Sequence, residues 1–233
     1  MLLVIGIVTM LISMWVSWKL KRKFKEYSQI GLYSGMSGAE AAEKMLRDNG
    51  IYDVKIISVD GQLTDHYNPA TKTVNLSYDV FYGRNAAAVA VASHECGHAV
   101  QHAKAYMWLG LRSAMVPAVN ISATILNFVN ILLLFGGGFV FYSTGGVSDT
   151  ILMIIIAANL GLTVFSVVTL PVEFDASSRA LAWMTNRGVV TSKEHEMAKD
   201  ALNWAAMTYV VAALGSLAQL AYWVMIFMGR RDD

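Results

Sequence analysis

The sequence predicts an integral membrane protein, mainly α, with about four transmembrane helices and a small cytoplasmic α+β portion built around one polar motif helix. Three observations predict it. Hydrophobic residues make up 55% of the 233-residue chain and charged residues only 15%, where soluble globular domains carry roughly 25%. Residues 1–18, 113–148, 150–172 and 201–229 contain no Asp, Glu, Lys or Arg, and crossing the hydrocarbon core takes roughly 20 mostly apolar residues. Five basic residues crowd the end of the first of these stretches. The same composition removes other classes: a formal net charge of +1 gives no basic field for nucleic acid, and a single cysteine, Cys96, cannot close an internal disulfide.

The first stretch, "MLLVIGIVTMLISMWVSW", reads as an uncleaved transmembrane anchor over 1–18. It has neither a basic region ahead of the apolar run nor an A-x-A-like cleavage site. Lys19, Lys21, Arg22, Lys23 and Lys25 follow it, and the positive-inside rule places them, and with them residues 19–112, in the cytoplasm.

Within that portion Ser37 and Glu40 form an S-x-x-E capping box that opens "GAEAAEKMLRD" as a short helix, stopped at Asn49-Gly50. "VKIISV" has strand content, and "GQLTDHYNPATKTVNLS" reads as two more strands around an Asn68-Pro69 turn. Asn85 suits the N-cap of an alanine-rich helix that runs to Ala103. Residues 113–172 hold two transmembrane helices. The charge-free run from Ser113 would extend roughly 54 Å as one helix, so only about 115–142 is taken as a span. "FGGGF" and "STGGVSD" mark its exit to a short external loop at 143–150, which has no Lys or Arg.

The third span returns the chain to the cytoplasm for residues 173–200. A helix from Glu173 to about Asn186 ends at Gly188, and Thr191 with Glu194 caps a further helix that continues into the last span within 201–233. This count leaves Arg230 and Arg231 outside, against the positive-inside rule, but five charges at the first span outweigh two.

The chemistry is concentrated in "SHECGHAVQH", residues 93–102. On a helix His94 and His98 share a face with about 6 Å between Cβ atoms, close enough to share one zinc ion. Glu95 stands beside them, where a carboxylate can take a proton from a water whose pKa zinc lowers to about 7. With five histidines and seven glutamates in the chain, H-E-x-x-H arises by chance on the order of 0.003 times.

A catalytic zinc wants three protein ligands and an open position. His102 continues the face, but about 12 Å of helical rise separates it from His94, so it reads as a supporting or surface residue. Glu173 is the better third ligand. It is the first charged residue after the third span, on the same side of the membrane as the histidines, and an acidic group at a bilayer boundary needs a partner. The competing reading pairs Glu173 with Arg179 or makes it a cap after Pro171.

Other residues carry weaker signals. His66 could bind metal or stabilise an oxyanion, though a hairpin histidine is more often structural. The hairpin edge could hold an extended peptide by main-chain hydrogen bonds. Tyr209 could donate to a tetrahedral intermediate, against its reading as an interfacial anchor. Asn120, Asn127, Asn130 and Asn159 suit interhelical hydrogen bonds. Cys96 reads as inert if it packs inward, and His195 as solvated.

"SHECGHAVQHA", combined with "LPVEFDASSRA" and with "DHYNPATKTVNLS" upstream, resembles the bacterial membrane-bound neutral zinc metallopeptidases of the YugP type. The similarity runs from the basic stretch after the first span to "AAMTYVVAAL" in the last. It implies that His94 and His98 are zinc ligands, that Glu95 is the catalytic base and that Glu173 is the third ligand, a gluzincin-like set. A more distant similarity to heat-shock membrane proteases and CAAX-prenyl proteases implies an aspartate four residues after the glutamate to orient a histidine ligand. Ser177 stands there in this chain. The orienting group is therefore open, and Asp175 is an alternative ligand.

The expectation is a multi-pass zinc endopeptidase of the cell membrane. One Zn2+ per chain is held by His94, His98 and Glu173, with Glu95 as general base and an active site on the cytoplasmic side. Its partners are the bilayer and membrane-associated protein or peptide substrates, with no nucleic acid. The rivals are a zinc-holding scaffold or chaperone without turnover, which leaves Glu95 no task, and a transporter component with a regulatory metal. Scarce ionisable groups within the spans count against the second.

Overall fold

Long charge-free runs fold into long helices because, without water, backbone polar groups must be satisfied within the segment. The structure is a computed structural model that describes residues 1–132 and 149–229. In chain order it comprises α1 (Leu2–Ser28), α2 (Gly38–Asp48), β1 (Lys55–Val59), β2 (His66–Asn68), β3 (Thr73–Ser77), α3 (Tyr78–Phe81), α4 (Ala86–Ala103), α5 (Met107–Leu132), α6 (Asp149–Asn186) and α7 (Ser192–Gly229). Four of these, α1, α5, α6 and α7, are long and apolar enough to cross a membrane. The end of the expected second span, its glycine breakers, the loop up to residue 148 and Arg230-Arg231 lie outside the described residues.

The helix of the second span, whose start the sequence leaves open, begins at Met107. One boundary differs from the sequence expectation. The third span and the helix expected from Glu173 are one helix, α6, which runs through Pro171 without a break. Charge marks where a chain leaves the bilayer, but a helix ends only where its backbone hydrogen bonds do.

The chain divides into two compact units. One takes in Met1–Ser13, Leu111–Thr169 and the chain from Tyr209 onward. Leu126, Leu152, Ile155, Ala158 and Trp223 form its apolar centre. Four polar side chains on the part of α6 within this unit bond to carbonyls of their own helix. Asn159 donates to the Ile155 carbonyl at 2.8 Å, instead of the interhelical bond expected for it, and Thr163, Ser166 and Thr169 each donate to the carbonyl four residues back. Such back-bonding removes the cost of a hydroxyl in an apolar setting.

The other unit, Met14–Gly110 with Leu170–Thr208, carries the motif. At its start Trp15 stacks edge-on against Trp204, and Lys19 and Arg22 lie over the Trp18 ring. The Ser37 capping box forms as expected: Ser37 Oγ accepts from Glu40 N–H and Glu40 Oε2 accepts from Ser37 N–H. This starts α2 at the right residue to bury Ala41, Ala42, Met45 and Leu46 with α4 in one core.

The sheet has the order β1-β3-β2. The hairpin forms as read, β2 antiparallel to β3 with Tyr67 opposite Val74, while β1 joins the far side of β3 in parallel with Ile56 opposite Val74. That topology leaves β2 as an edge strand, and Val74 and Leu76 on the central strand are fully buried.

Helix α4 is the centre of the unit. Asn85 caps it, accepting from Ala88 N–H at 2.9 Å, and Ala86, Ala87, Ala88, Ala90 and Ala92 are fully buried. A helix buried on nearly all sides needs small residues where neighbours crowd it. Gly97, inside the motif, shows the limit. A Cβ there would lie 2.6 Å from the Ala176 carbonyl oxygen of α6. This near-contact of backbones brings Glu173, one turn before Ala176, within reach of the histidines. Gly97→Ala should push α6 away, at a cost of about 1–3 kcal/mol for overpacking, and weaken metal binding more than it lowers the melting temperature. Calorimetry and metal titration of the same preparation check both effects.

Candidate metal centre

An α-helix puts residues four apart on one face, and α4 does this for His94 and His98, whose rings stand 4.8 Å apart at 84°. The third group comes from α6. Glu173 Oε2 lies 3.3 Å from His94 Nε2 and 3.6 Å from His98 Nε2. Among the described residues, these three are the one group of His, Cys, Asp and Glu side chains whose ligand atoms all fall within 4.8 Å of each other. Two tetrahedral ligands bound at about 2.0–2.1 Å to one zinc lie about 3.3 Å apart, so the two nitrogen-oxygen distances already fit a shared ion.

The electrostatics agree with that donor set. Burial by itself would lower the His98 pKa, but the Glu173 carboxylate and the nearby Glu95 charge outweigh it and hold the ring above its ordinary value. A group of this kind exchanges a shared proton for a cation, and metal binding then releases protons. Glu173 is almost wholly buried, which suits a ligand and would be costly for an unpaired carboxylate.

Glu95 does not join the three. Its Oε2 accepts a hydrogen bond from the backbone N–H of Tyr67 on β2 at 2.9 Å, so the edge strand fixes its position beside the pair. Asp65, just ahead of β2, accepts from Ser77 N–H at 2.7 Å and ties the strand to the end of β3. Its pKa is raised by burial, against the opposing Ser77 donors.

The residues behind the histidines resolve what the sequence left open. Ser177 places its Oγ 3.0 Å from His94 Nδ1. Asp175 lies outside the group of three: its Oδ2 accepts from Gln101 Nε2 at 2.8 Å and from Arg179 Nε at 2.6 Å. Arg179 is thus the partner of Asp175, and Glu173 faces the histidines. Gln101 Oε1 lies 3.0 Å from His98 Nδ1. Sequence reasoning missed Tyr67 and Gln101. Gln101 was findable, since it sits one turn after His98 on the same face. Tyr67 was not, because its contribution is a main-chain N–H.

The remaining candidates are not members of that group. His102 Nδ1 pairs with the Tyr67 hydroxyl at 2.8 Å. His66 Nδ1 bonds the Thr64 carbonyl two residues away, a local structural role. Cys96 is fully buried on the inward side of α4, where its thiol lies 3.6 Å from the Ala42 carbonyl and its pKa is pushed up by burial. His195 is half-buried and bonds Thr185 at 2.9 Å instead of standing free in solvent. Tyr209 belongs to the other unit.

The chain matches, along residues 2–228, a family described as "Putative neutral zinc metallopeptidase". It is 41% identical over 222 residues to a Bacillus subtilis (strain 168) protein named "Putative membrane protease YugP", covering 95% of this chain and 94% of that protein. No solved structure matches it.

Proposed function

Because the chain belongs to the neutral zinc metallopeptidase family, we propose that it is a membrane-embedded zinc-dependent endopeptidase with His94, His98 and Glu173 as zinc ligands and Glu95 as general base. The observation that carries this reading is the placement of the Glu173 carboxylate between the two imidazole Nε2 atoms, at 3.3 and 3.6 Å, with Glu95 held beside them. Bound zinc supplies Lewis acidity, which lowers the pKa of water and polarises a carbonyl.

The protein's own groups do the rest. Glu95 takes the proton of the attacking water at one carboxylate oxygen and delivers it to the nitrogen of the leaving amine, the general acid–base role. The Tyr67 N–H holds the other oxygen, which keeps the carboxylate from swinging onto the metal as a fourth ligand. An extended substrate would lie along β2, the edge strand, and pair with it by main-chain hydrogen bonds. This suits peptides of varied sequence, because main-chain pairing does not read side chains.

The helix that carries Glu173 is one of the four membrane-length helices. The active site therefore belongs close to the bilayer surface, on the cytoplasmic side given the basic cluster after residue 18. Its substrates would be cytoplasmic segments of membrane proteins or membrane-associated peptides, and one zinc per chain is the expected stoichiometry.

The test is metal removal combined with a sided reporter. Chelation of the detergent-purified protein should abolish cleavage of a loosely folded protein, and one equivalent of zinc should restore it. In cells, a single-span reporter should be cut when its unfolded segment lies on the cytoplasmic side. Zinc-independent cleavage would overturn the chemistry, and cleavage confined to the outer face would overturn the topology.

A further inference from the structure

We propose that Gln101 and Asp175 form a relay that fixes the ring tautomer of His98, so that its Nε2 lone pair is presented to the metal. The inference rests on the zinc-site reading above and concerns residues to which that reading assigns no role.

A carboxamide has one acceptor oxygen and one NH2 group with two donors. The Gln101 side chain is fully buried, so each of these groups needs a protein partner. Two neighbours are acceptors: the Val172 carbonyl and Asp175 Oδ2, each 2.8 Å from Gln101 Nε2. Turning the amide over would set its oxygen against both, so the NH2 group faces them and Oε1 faces His98 Nδ1 at 3.0 Å. An oxygen there can only accept. Nδ1 therefore carries the hydrogen, and in the neutral imidazole the lone pair is left on Nε2, the atom that faces Glu173.

Asp175 adds a second acceptor on the same side. With the Val172 carbonyl alone the amide already makes two bonds in this orientation, one to that carbonyl and one to His98, against one when turned over. The carboxylate adds a third bond and widens that difference. Arg179 Nε, 2.6 Å from the same Oδ2, holds the carboxylate in place, and the guanidinium lies over the Tyr106 ring at 5.7 Å. The relay thus runs Arg179, Asp175, Gln101, His98, and only its last member touches the metal.

The two histidines are treated differently. His94 Nδ1 faces the Ser177 hydroxyl, which donates or accepts equally well, so Ser177 orients the ring without choosing its tautomer. An aspartate at 177 would have chosen it for His94. In this chain the choice is made on the other histidine, by an amide braced from α6. Gln101 and Asp175 are accordingly positioning residues, acting through His98.

The experiment measures zinc affinity of the full-length protein in detergent by competition with a chromophoric chelator, together with the melting temperature of each metal-free variant. Gln101→Met, close in volume and without hydrogen bonds, should weaken zinc binding about 10–100-fold, the range found when a group orienting a metal-bound histidine is lost. Asp175→Asn, at the half-buried end of the relay, should weaken it by a smaller factor and leave the melting temperature near that of the wild type. The decisive measurement is the ¹⁵N NMR spectrum of the metal-free protein with labelled histidine, which reads the ring tautomer directly. His98 should carry its hydrogen on Nδ1 in the wild type and lose that preference in Gln101→Met.

Each outcome has one meaning. Affinity within twofold of wild type in Gln101→Met overturns the relay. Affinity lost in Gln101→Met with the hydrogen still on His98 Nδ1 also overturns it, because the glutamine then serves packing alone. A wild-type protein that binds no zinc overturns the metal-site reading itself, a failure distinguishable from either of these.

Discussion

Under the proposed function, Glu95→Gln should lower the rate of peptide hydrolysis by about 10²–10⁴-fold, the usual contribution of a positioned general base, while zinc binding should stay at the wild-type level. The reason is geometric. Glu95 lies outside the cluster of three ligand atoms, and its carboxylate is held by the Tyr67 N–H. A glutamine keeps the shape and can still accept that bond through its amide oxygen, so the fold and the metal site are retained. What it loses is the ability to take a proton. Initial rates on a loosely folded protein, with zinc content measured on the same samples, check both halves. A variant that retains a rate within tenfold of wild type would remove Glu95 from the chemistry and favour a role for the metal that does not involve turnover.

Glu173→Ala removes the metal and the activity together, with zinc affinity falling by more than about 100-fold, beyond the range for groups that only orient a ligand. Glu173 Oε2 bridges the two imidazoles, and without it two histidines on one helix are left as the only protein ligands. The comparison with Asp175→Asn gives this prediction its force. Both carboxylates lie on α6 two residues apart, yet one faces the histidines and the other faces Gln101 and Arg179. Similar losses in the two variants, read by metal titration, would contradict the assignment of Glu173 as the ligand.

Much of this arrangement was legible in the sequence because the signals are local. The Ser37–Glu40 box, the Asn85 cap and the H-E-x-x-H spacing each depend on residues within a turn or two of one another; the first two form as read, and the third sets the two imidazoles 4.8 Å apart. Glu173 was legible for a different reason, as a charge at the end of an apolar run. Three features depend on contacts distant in sequence and were not legible. The parallel pairing of β1 with β3 sets the hairpin's second strand in the middle of the sheet and its first at the edge. Past Pro171 the same helix, α6, carries Glu173, the Ser177 behind His94 and the Asp175 behind Gln101. The approach of Gly97 to Ala176 sets the distance between that helix and α4. No periodicity announces such a contact. The glycine inside the motif was its one trace in the sequence.

X-ray absorption at the zinc edge of the purified protein tests the central claim most directly, that His94, His98 and Glu173 hold one zinc. The account predicts nitrogen and oxygen ligands alone, at about 2.0–2.1 Å, with the multiple-scattering signature of two imidazoles, reduced to one in His98→Ala if any metal remains. A sulfur at about 2.3 Å would mean that Cys96 has left its place against the Ala42 carbonyl to bind the metal. That result, or a spectrum without imidazole, would contradict the site described.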